Sequence, residues 1–340
     1  MARTTCLLYH ISGAAAQWKS EPSMINTLQN PIDSGFGPRS TAEEVLAGSD
    51  LSGTTALVTG GYSGLGLETV RALSRAGAKV LVPARRVDVA QATLGDLTGV
   101  TVVPMDLADI DSIRSAADDI LAVTRTIDIT ILNAGIMVCP ETRVGPGWEA
   151  QFAINHLGHF VLINRLRPAL AAGGRVVVTS SGAHAITGIR WDDVHFKHGY
   201  DKWQAYGQSK TANALFAVHL DAVGREHGIR SFAVHPGSIL TPLQRHMTKN
   251  EMASLGWIDA HGNPTDPSFK SPEQGAATQV WAATSPSLDQ MGGLYCEDCN
   301  IAPVSRRDSE AGVKQHAIDP AEASRLWDYS AQLTSENAFR

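Results

Sequence analysis

The stretch that most constrains this chain is Thr54-Thr-Ala-Leu-Val-Thr-Gly-Gly-Tyr-Ser-Gly-Leu-Gly-Leu-Glu68. Residues 56–59 are small or apolar and read as a short buried strand. Gly60, Gly61, Gly64 and Gly66 follow at once. Leu65, Leu67, Val70, Leu73 and Ala76 then recur at helical spacing. A strand, a glycine turn and a helix in that order form a phosphate cradle. The glycines permit a sharp turn and let bare backbone approach a pyrophosphate. The helix start offers unpaired N–H groups at a positive dipole end. Strand before and helix after are the context that gives the glycine spacing its weight.

From there on, strand and helix signals alternate. Strands are expected at residues 79–82, 100–104, 128–132, 175–179, 230–234 and 294–296. Helices are expected at 88–97, 109–123, 148–170 and 206–227, and Thr41-Ala-Glu-Glu44 spells a capping box ahead of the first strand. Val176-Val177-Val178 is continuously apolar, as a strand covered on both faces should be. The alternation predicts an α/β chain: a Rossmann-type, doubly wound parallel sheet of about seven strands, order 3-2-1-4-5-6-7, with helices on both faces. Residues 1–40 read as an irregular N-terminal arm, 41–310 as a single catalytic domain, and 311–340 as a C-terminal extension. The apolar-rich, aperiodic segment 238–271 reads as a lid. Residues 184–205, with Trp191, Phe196, Tyr200 and Trp203, read as a second wall of the same pocket.

Unusual residues fall at the strand ends, where such a sheet binds ligands: Gly60, Arg85, Asp106, Asn133, Ser180-Ser181 and Pro236-Gly237. Tyr206-Gly-Gln-Ser-Lys210 sets a phenol and an ammonium at i and i+4 on one helix face. An ammonium beside a phenol favours the phenolate and makes the tyrosine a usable acid–base. Ser181 can hydrogen-bond a substrate oxygen, and Asn155 can hold the lysine through water. The four describe proton transfer to a carbonyl oxygen or from an alcohol. Coupled to a dinucleotide at the glycine turn, the reaction is hydride transfer. The end of the second strand reads Pro83-Ala84-Arg85-Arg86, with no carboxylate for ribose hydroxyls. Two guanidiniums there suit a phosphate, so NADP(H) is expected over NAD(H).

Composition narrows the partners. The 340 residues are 43% hydrophobic and 18% charged with a net charge of −6, so no basic field draws the chain to nucleic acid. Arg85-Arg86 and Arg306-Arg307 are only pairs. No apolar run is long enough to span a bilayer. Four scattered cysteines, Cys6, Cys139, Cys296 and Cys299, make no disulfide framework and suggest a reducing, cytoplasmic setting. Cys296-Glu-Asp-Cys299 reads as two thiols by a strand end. Residues 1–18 carry a faint leader pattern, broken by His10 and Ser12, and Met24 offers an alternative start. His156, His159, His195 and His198 lack the spacing of a metal site, so no metal is expected.

Thr59-Gly60-Gly-Tyr-Ser-Gly64-Leu-Gly66, Asn133-Ala-Gly135, Asn155, Ser181 and Tyr206-Gly-Gln-Ser-Lys210 together resemble the short-chain dehydrogenase/reductase family, over residues from about 41 to 300. Asn155-His-Leu-Gly-His-Phe160, the long interval from Ser181 to Tyr206 holding Asp192-Asp193, and the run from Tyr206 to Phe216 resemble its retinol-dehydrogenase and WW-domain-oxidoreductase branch. The resemblance implies Tyr206 as acid–base, Lys210 as its activator and a contact to the nicotinamide ribose, Ser181 as the substrate-oxygen partner, and Asn155 in a proton relay. It implies cofactor contacts from Gly60, Tyr62, Ser63, Gly64, Leu65 and Gly66 in the cradle and from Arg85 and Arg86. Asp106 and Leu107 would lie by the adenine. Asn133, Ala134, Gly135, Pro236, Gly237 and Thr241 would lie toward the nicotinamide. Tyr62 and Ser63 depart from what many relatives carry. The resemblance also implies a homodimer or homotetramer through the helices of Asn155 and Tyr206. The expected activity is oxidation or reduction of a hydrophobic alcohol, ketone or aldehyde. Reduction of a C=C bond and a non-catalytic cofactor-binding scaffold remain open alternatives.

Overall fold

The structure is a computed structural model that describes residues 29–305 and 311–340. The leader pattern, the Met24 start, Cys6 and the Arg306-Arg307 pair lie outside the described residues. Ten strands occur among those described. β1 (Thr55–Val58), β2 (Lys79–Ala84), β3 (Val100–Pro104) and β4 (Ile127–Leu132) are followed by a separate hairpin, β5 (Arg143–Val144) with β6 (Trp148–Glu149). β7 (Leu170–Thr179), β8 (Arg230–His235), β9 (Leu294–Glu297) and β10 (Asn300–Ile301) complete the set. The main sheet runs β3-β2-β1-β4-β7-β8-β9-β10. With the hairpin set aside, this is the expected order extended by one strand. Every neighbour is parallel except β10, which turns back antiparallel on β9.

Alternation along each strand decides which layer a side chain joins. Leu57, Leu81, Val176 and Val178 enter the core on one face of the sheet. Val58, Val80, Val82, Ile131, Val177 and Val234 enter the core on the other. Helices α1 (Ala42–Val45), α2 (Gly64–Arg75) and α3 (Val87–Leu94) supply the second layer. α4 (Ile110–Val123), α5 (Ala150–Phe152), α6 (Gly158–Leu166) and α7 (Lys202–Gly224) lie on the first-named face. The segment 238–271 carries α8 (Lys249–Ser254), and α9 (Pro272–Thr284) and α10 (Pro320–Thr334) follow. No helix among the described residues is long and apolar enough to cross a membrane.

Three expectations need correction. Residues 148–170 are not one helix. Trp148 and Glu149 belong to the β5–β6 hairpin, and the Glu149 carboxylate caps the helix that starts at Ala150, accepting from Gln151 and Phe152 N–H at 2.9 and 2.7 Å. A π-turn, Ala153–Leu157, interrupts the helix at Asn155, and Pro168 ends it in a 3-10 turn. β7 accordingly starts at Leu170, five residues before the expected Arg175. The Tyr206 helix starts at Lys202 because Asp201 caps it, accepting from Trp203 and Gln204 N–H at 2.9 and 2.8 Å. α9 and α10 were not anticipated. Residues 275–283 of α9 are all buried, so no amphipathic stripe marks it.

α10 packs against α7. The Trp327 ring sits edge-on to Phe160 at 4.9 Å, stacks on Phe216 at 5.8 Å, and lies 4.9 Å from His219. Ser330 Oγ meets His156 Nε2 at 2.7 Å. Part of the helix face on which the expected oligomer would rest is thus covered by the chain's own C-terminal helix. Trp327→Ala should cost about 3–5 kcal/mol of stability, because the aromatic pocket around it cannot collapse onto a methyl group. Urea unfolding checks this, and a loss below about 1 kcal/mol would show that α10 is only loosely attached.

Candidate active site

The cradle forms where β1, α2 and β4 meet. Gly60 and Gly64 have φ of +65° and +52°, which side chains disfavour. A Cβ at Gly66 would lie 2.5 Å from the Gly60 carbonyl and 2.6 Å from Asn133 Nδ2, so helix and turn approach as only glycine allows. Asn133 Nδ2 donates to the Thr59 carbonyl at 3.1 Å, and Ala134 N–H donates to Thr59 Oγ1 at 3.0 Å. Ser63 precedes α2 but its side chain does not cap it, whereas α4, α7, α9 and α10 are all capped by side chains. The first N–H groups of α2 are therefore available to an anion. The cradle that a Cβ would fill and the uncapped helix start fit a dinucleotide pyrophosphate.

One cavity of about 630 Å3 connects this cradle to the Tyr206 end. Gly60, Tyr62, Ser63, Gly64, Leu65, Arg85, Arg86, Asp106, Leu107, Asn133, Ala134, Gly135, Ser181, Tyr206, Lys210, Pro236, Gly237 and Thr241 all line it. Gly66 and Asn155 do not. Gly66 works by permitting the close approach described above, and Asn155 is fully buried behind the wall. From the lid, Leu243, Trp257 and Phe269 reach the cavity, while Leu255 is exposed. Of the aromatic residues in 184–205, only Trp203 lines it. Trp191 instead donates its indole N–H to Glu322, Phe196 sits under the Arg190 guanidinium, and Tyr200 donates to the Cys139 carbonyl. Met137, Ile186, His235 and Arg245 also line the cavity; Ile186, His235 and Arg245 fall in stretches the sequence marks for this pocket, but none is singled out there as a site residue.

Tyr206 and Lys210 lie one turn apart on α7, each only 4% exposed. Lys210 Nζ donates to the Thr179 carbonyl at the end of β7 at 3.0 Å and lies 5.6 Å from the Tyr206 ring centre. The Ser181 hydroxyl accepts from Ala183 N–H at 3.2 Å and stands near enough to the Tyr206 phenol to favour its phenolate. Ser180 points inward instead, donating to the Lys210 carbonyl at 2.7 Å. Asn155 is clamped by protein groups. Its Oδ1 accepts from Ile136 N–H at 2.8 Å, and its Nδ2 donates to the Ile136 carbonyl and to Ser209 Oγ, both at 2.9 Å. A Cβ on Gly135 would lie 2.9 Å from Asn155 Oδ1 and 3.9 Å from Lys210 Nζ. The bare backbone of Gly135 thus lets the amide and the lysine converge.

Burial governs the charges. It pushes the Tyr206 phenol up to about 12, with the Ser181 hydroxyl pulling the other way, and pushes Lys210 down to about 8. The expected lowering of the phenol by its ammonium neighbour is not found here; desolvation disfavours both charged forms. Burial lowers the pKa of the nearby His159 and His235. His159 bonds Thr59 Oγ1 and the Asn155 carbonyl at 3.0 Å each, and burial holds it at about 4. Cys139, Cys296 and Cys299 are free, buried thiols.

A family model of short chain dehydrogenases matches residues 54–252, more than half of the chain. The chain belongs to the short-chain dehydrogenase/reductase family and is an oxidoreductase. A Streptomyces antibioticus protein named "Probable oxidoreductase" is 45% identical over 293 residues, which cover 82% of this chain and 97% of that one. Retinol dehydrogenase 12 of Mus musculus is 35% identical over 291 residues, 83% of this chain and 87% of its own. Among solved structures, the Pseudomonas aeruginosa RhlG/NADP active-site complex has a TM-score of 0.57 at 26% identity, covering 73% of this chain and 95% of that one.

The depressed Lys210 value has a consequence for stability. Between about pH 8 and 10.5 the unfolded chain holds this proton and the folded chain does not, so Lys210 favours folding progressively as pH rises through that window. Relative to Lys210→Met, the cofactor-free protein should gain on the order of 2–3 kcal/mol from pH 8 to 10.5. Urea titrations of both proteins across this range check it. A constant difference would mean that Lys210 keeps an ordinary pKa.

Proposed function

We propose that the chain is an NADP(H)-dependent oxidoreductase that interconverts a hydrophobic alcohol and its ketone or aldehyde, with Tyr206 as general acid–base. The observation that carries this reading is the opening of one cavity onto both the glycine cradle and the cluster of Tyr206, Ser181 and Lys210. When bound, the nicotinamide supplies or accepts the hydride. The chain's own residues do the rest. Tyr206 and Ser181 hold the substrate oxygen, and the Tyr206 hydroxyl gives up or takes the proton. Lys210, tethered to the Thr179 carbonyl, supplies the charge that favours the phenolate once the site is occupied. Asn155, fixed by Ile136 and Ser209, orients the groups around it.

The substrate class follows from the wall over Tyr206. Met137, Leu243, Trp203 and Trp257 line the cavity on this side and belong, with Val138, Met247 and Met252, to the apolar cluster that holds Tyr206. Trp203 and Trp257 meet edge to face at 6.0 Å. This lining excludes water and selects apolar groups beside the reacting carbon. Residues 238–271 serve as the lid of a catalytic domain spanning 41–310. Arg85 and Arg86 at the end of β2, with no carboxylate between them, support NADP(H) over NAD(H), as does the NADP in the RhlG complex. The free buried thiols fit a reducing compartment, and the cytoplasm is the location proposed.

The test is turnover of apolar ketones with NADPH and of the matching alcohols with NADP+. Tyr206→Phe should lose roughly 100- to 10,000-fold in kcat while keeping its fold and its cofactor affinity. Comparable turnover by the Phe variant would remove Tyr206 from the chemistry.

A further inference from the structure

The lid carries a charge that the hydride chemistry does not use. Arg245 lies in the 3-10 turn Pro242–His246, directly after Thr241, whose side chain borders the cradle at Gly64. The turn is held firmly. Thr241 N–H donates to Gln244 Oε1 at 2.8 Å, Leu243 N–H to Thr241 Oγ1 at 3.2 Å, and Gln244 Nε2 to the Ile239 carbonyl at 2.8 Å. Arg245 therefore projects from a fixed base. It lines the same cavity as Arg85, Arg86 and Tyr62.

Among the described residues no carboxylate pairs with this group. Arg245 Nη1 donates to the Pro242 carbonyl at 3.1 Å. Among the described residues none of Arg85, Arg86 and Arg245 makes an ion pair, although Arg71 and Arg114 elsewhere on the surface pair with carboxylates. Arg245 is close enough to Arg85 and Arg86 that their charges, after burial, hold its guanidinium below the usual range. Three cations facing one cavity repel each other, and a bound multivalent anion reverses the sign of that interaction. Arg85 and Arg86 stand at the end of β2, beside the adenosine ribose position, and not at the α2 start where the pyrophosphate fits. The anion among all three is therefore a phosphate on the ribose.

We propose that Arg245 is a third guanidinium on the 2′-phosphate of the cofactor, and that this contact couples phosphate recognition to seating of the lid. The inference rests on the NADP(H) reading above and deepens it. The coupling follows from what the same segment does on its other side. Met247, two residues on, is buried in the same apolar cluster as Tyr206, with the partly buried Leu243, Met252 and Trp257 packed against that cluster. Drawing Arg245 onto the phosphate holds those residues over the substrate position.

The test is calorimetric titration of wild type, Arg245→Ala and Arg245→Lys with NADP+ and NAD+. Arg245→Ala should bind NADP+ roughly 10- to 100-fold more weakly, with Arg245→Lys between it and wild type, and NAD+ affinity should stay within about twofold. Unchanged NAD+ affinity also reports an intact fold. Equal losses for both cofactors would place Arg245 on the shared pyrophosphate and overturn the inference, as would no loss for either. Wild type that binds NAD+ as well as NADP+ would overturn the cofactor reading and this inference with it. Wild type that prefers NADP+, with the preference kept in Arg245→Ala, would overturn this inference alone. Trypsin cleavage after Arg245 should be slower with NADP+ than with NAD+, and equal rates would remove the coupling to the lid.

Discussion

The close approach of three backbone segments at Gly60, Gly66 and Asn133 is the constraint on which the site depends. β1 is central, with β2 on one side and β4 on the other. Its end must release the chain into α2 without a side chain intervening. Gly66 lets the first turn of the helix rest on the Gly60 carbonyl, and Asn133 ties the end of β4 to Thr59. Two strand ends and a helix start thereby share one rigid corner. The open N–H groups of α2 and the floor of the cavity share that corner, so one contact sets both ends of the proposed cofactor site.

The second requirement is the burial of polar groups at the neighbouring strand end. The Thr179 carbonyl accepts from both Lys210 Nζ and Asn213 Nδ2, at 3.0 and 2.9 Å. Beyond the last ladder bond of β7 this carbonyl would otherwise lack a partner, which is costly in a dry site. It fixes the lysine without neutralising it. An aspartate or glutamate in that place would pair with Lys210 and keep it charged at any ordinary pH. A carbonyl leaves desolvation in control, and the lysine responds to what enters the cavity.

Much of this was legible in the sequence, because the chemistry needs particular residue types at short fixed spacings. The glycine turn, Asn133-Ala-Gly135, Ser181 and the Tyr206–Lys210 pair each sit within a few residues of a strand end or on one helix face. The sheet order followed from alternation together with right-handed crossovers and the glycine turn after the first strand. What escaped depends on tertiary placement. α9 is buried on every side and carries no stripe, although Ser271-Pro272 and Gln274 spell its capping box. The π-turn at Asn155 reflects a shift in backbone hydrogen bonding that no residue type encodes. Trp191 and Tyr200 were apolar candidates for the pocket wall, but each has a polar tip that finds a partner elsewhere, at Glu322 and at the Cys139 carbonyl. Arg245 reads as an ordinary surface arginine until the lid turn brings it to the mouth that Arg85 and Arg86 line.

The same placement explains how one domain keeps a rigid floor and an adjustable roof. The floor is sheet and buried helix, with Tyr206 and Lys210 locked in α7 under the weight of α10. The roof is anchored differently. Lys202, at the start of α7, pairs with Glu251 on α8, and Trp203 meets Trp257 edge to face. These contacts lie near the surface and involve few buried atoms, so each contributes little alone. A lid held by a handful of such contacts can open at modest cost, while the groups beneath it stay within hydrogen-bonding geometry. The proposed reading thus places the proton-transfer groups on the strand ends and α7, and the apolar contacts to substrate on a segment held to them by fewer buried atoms.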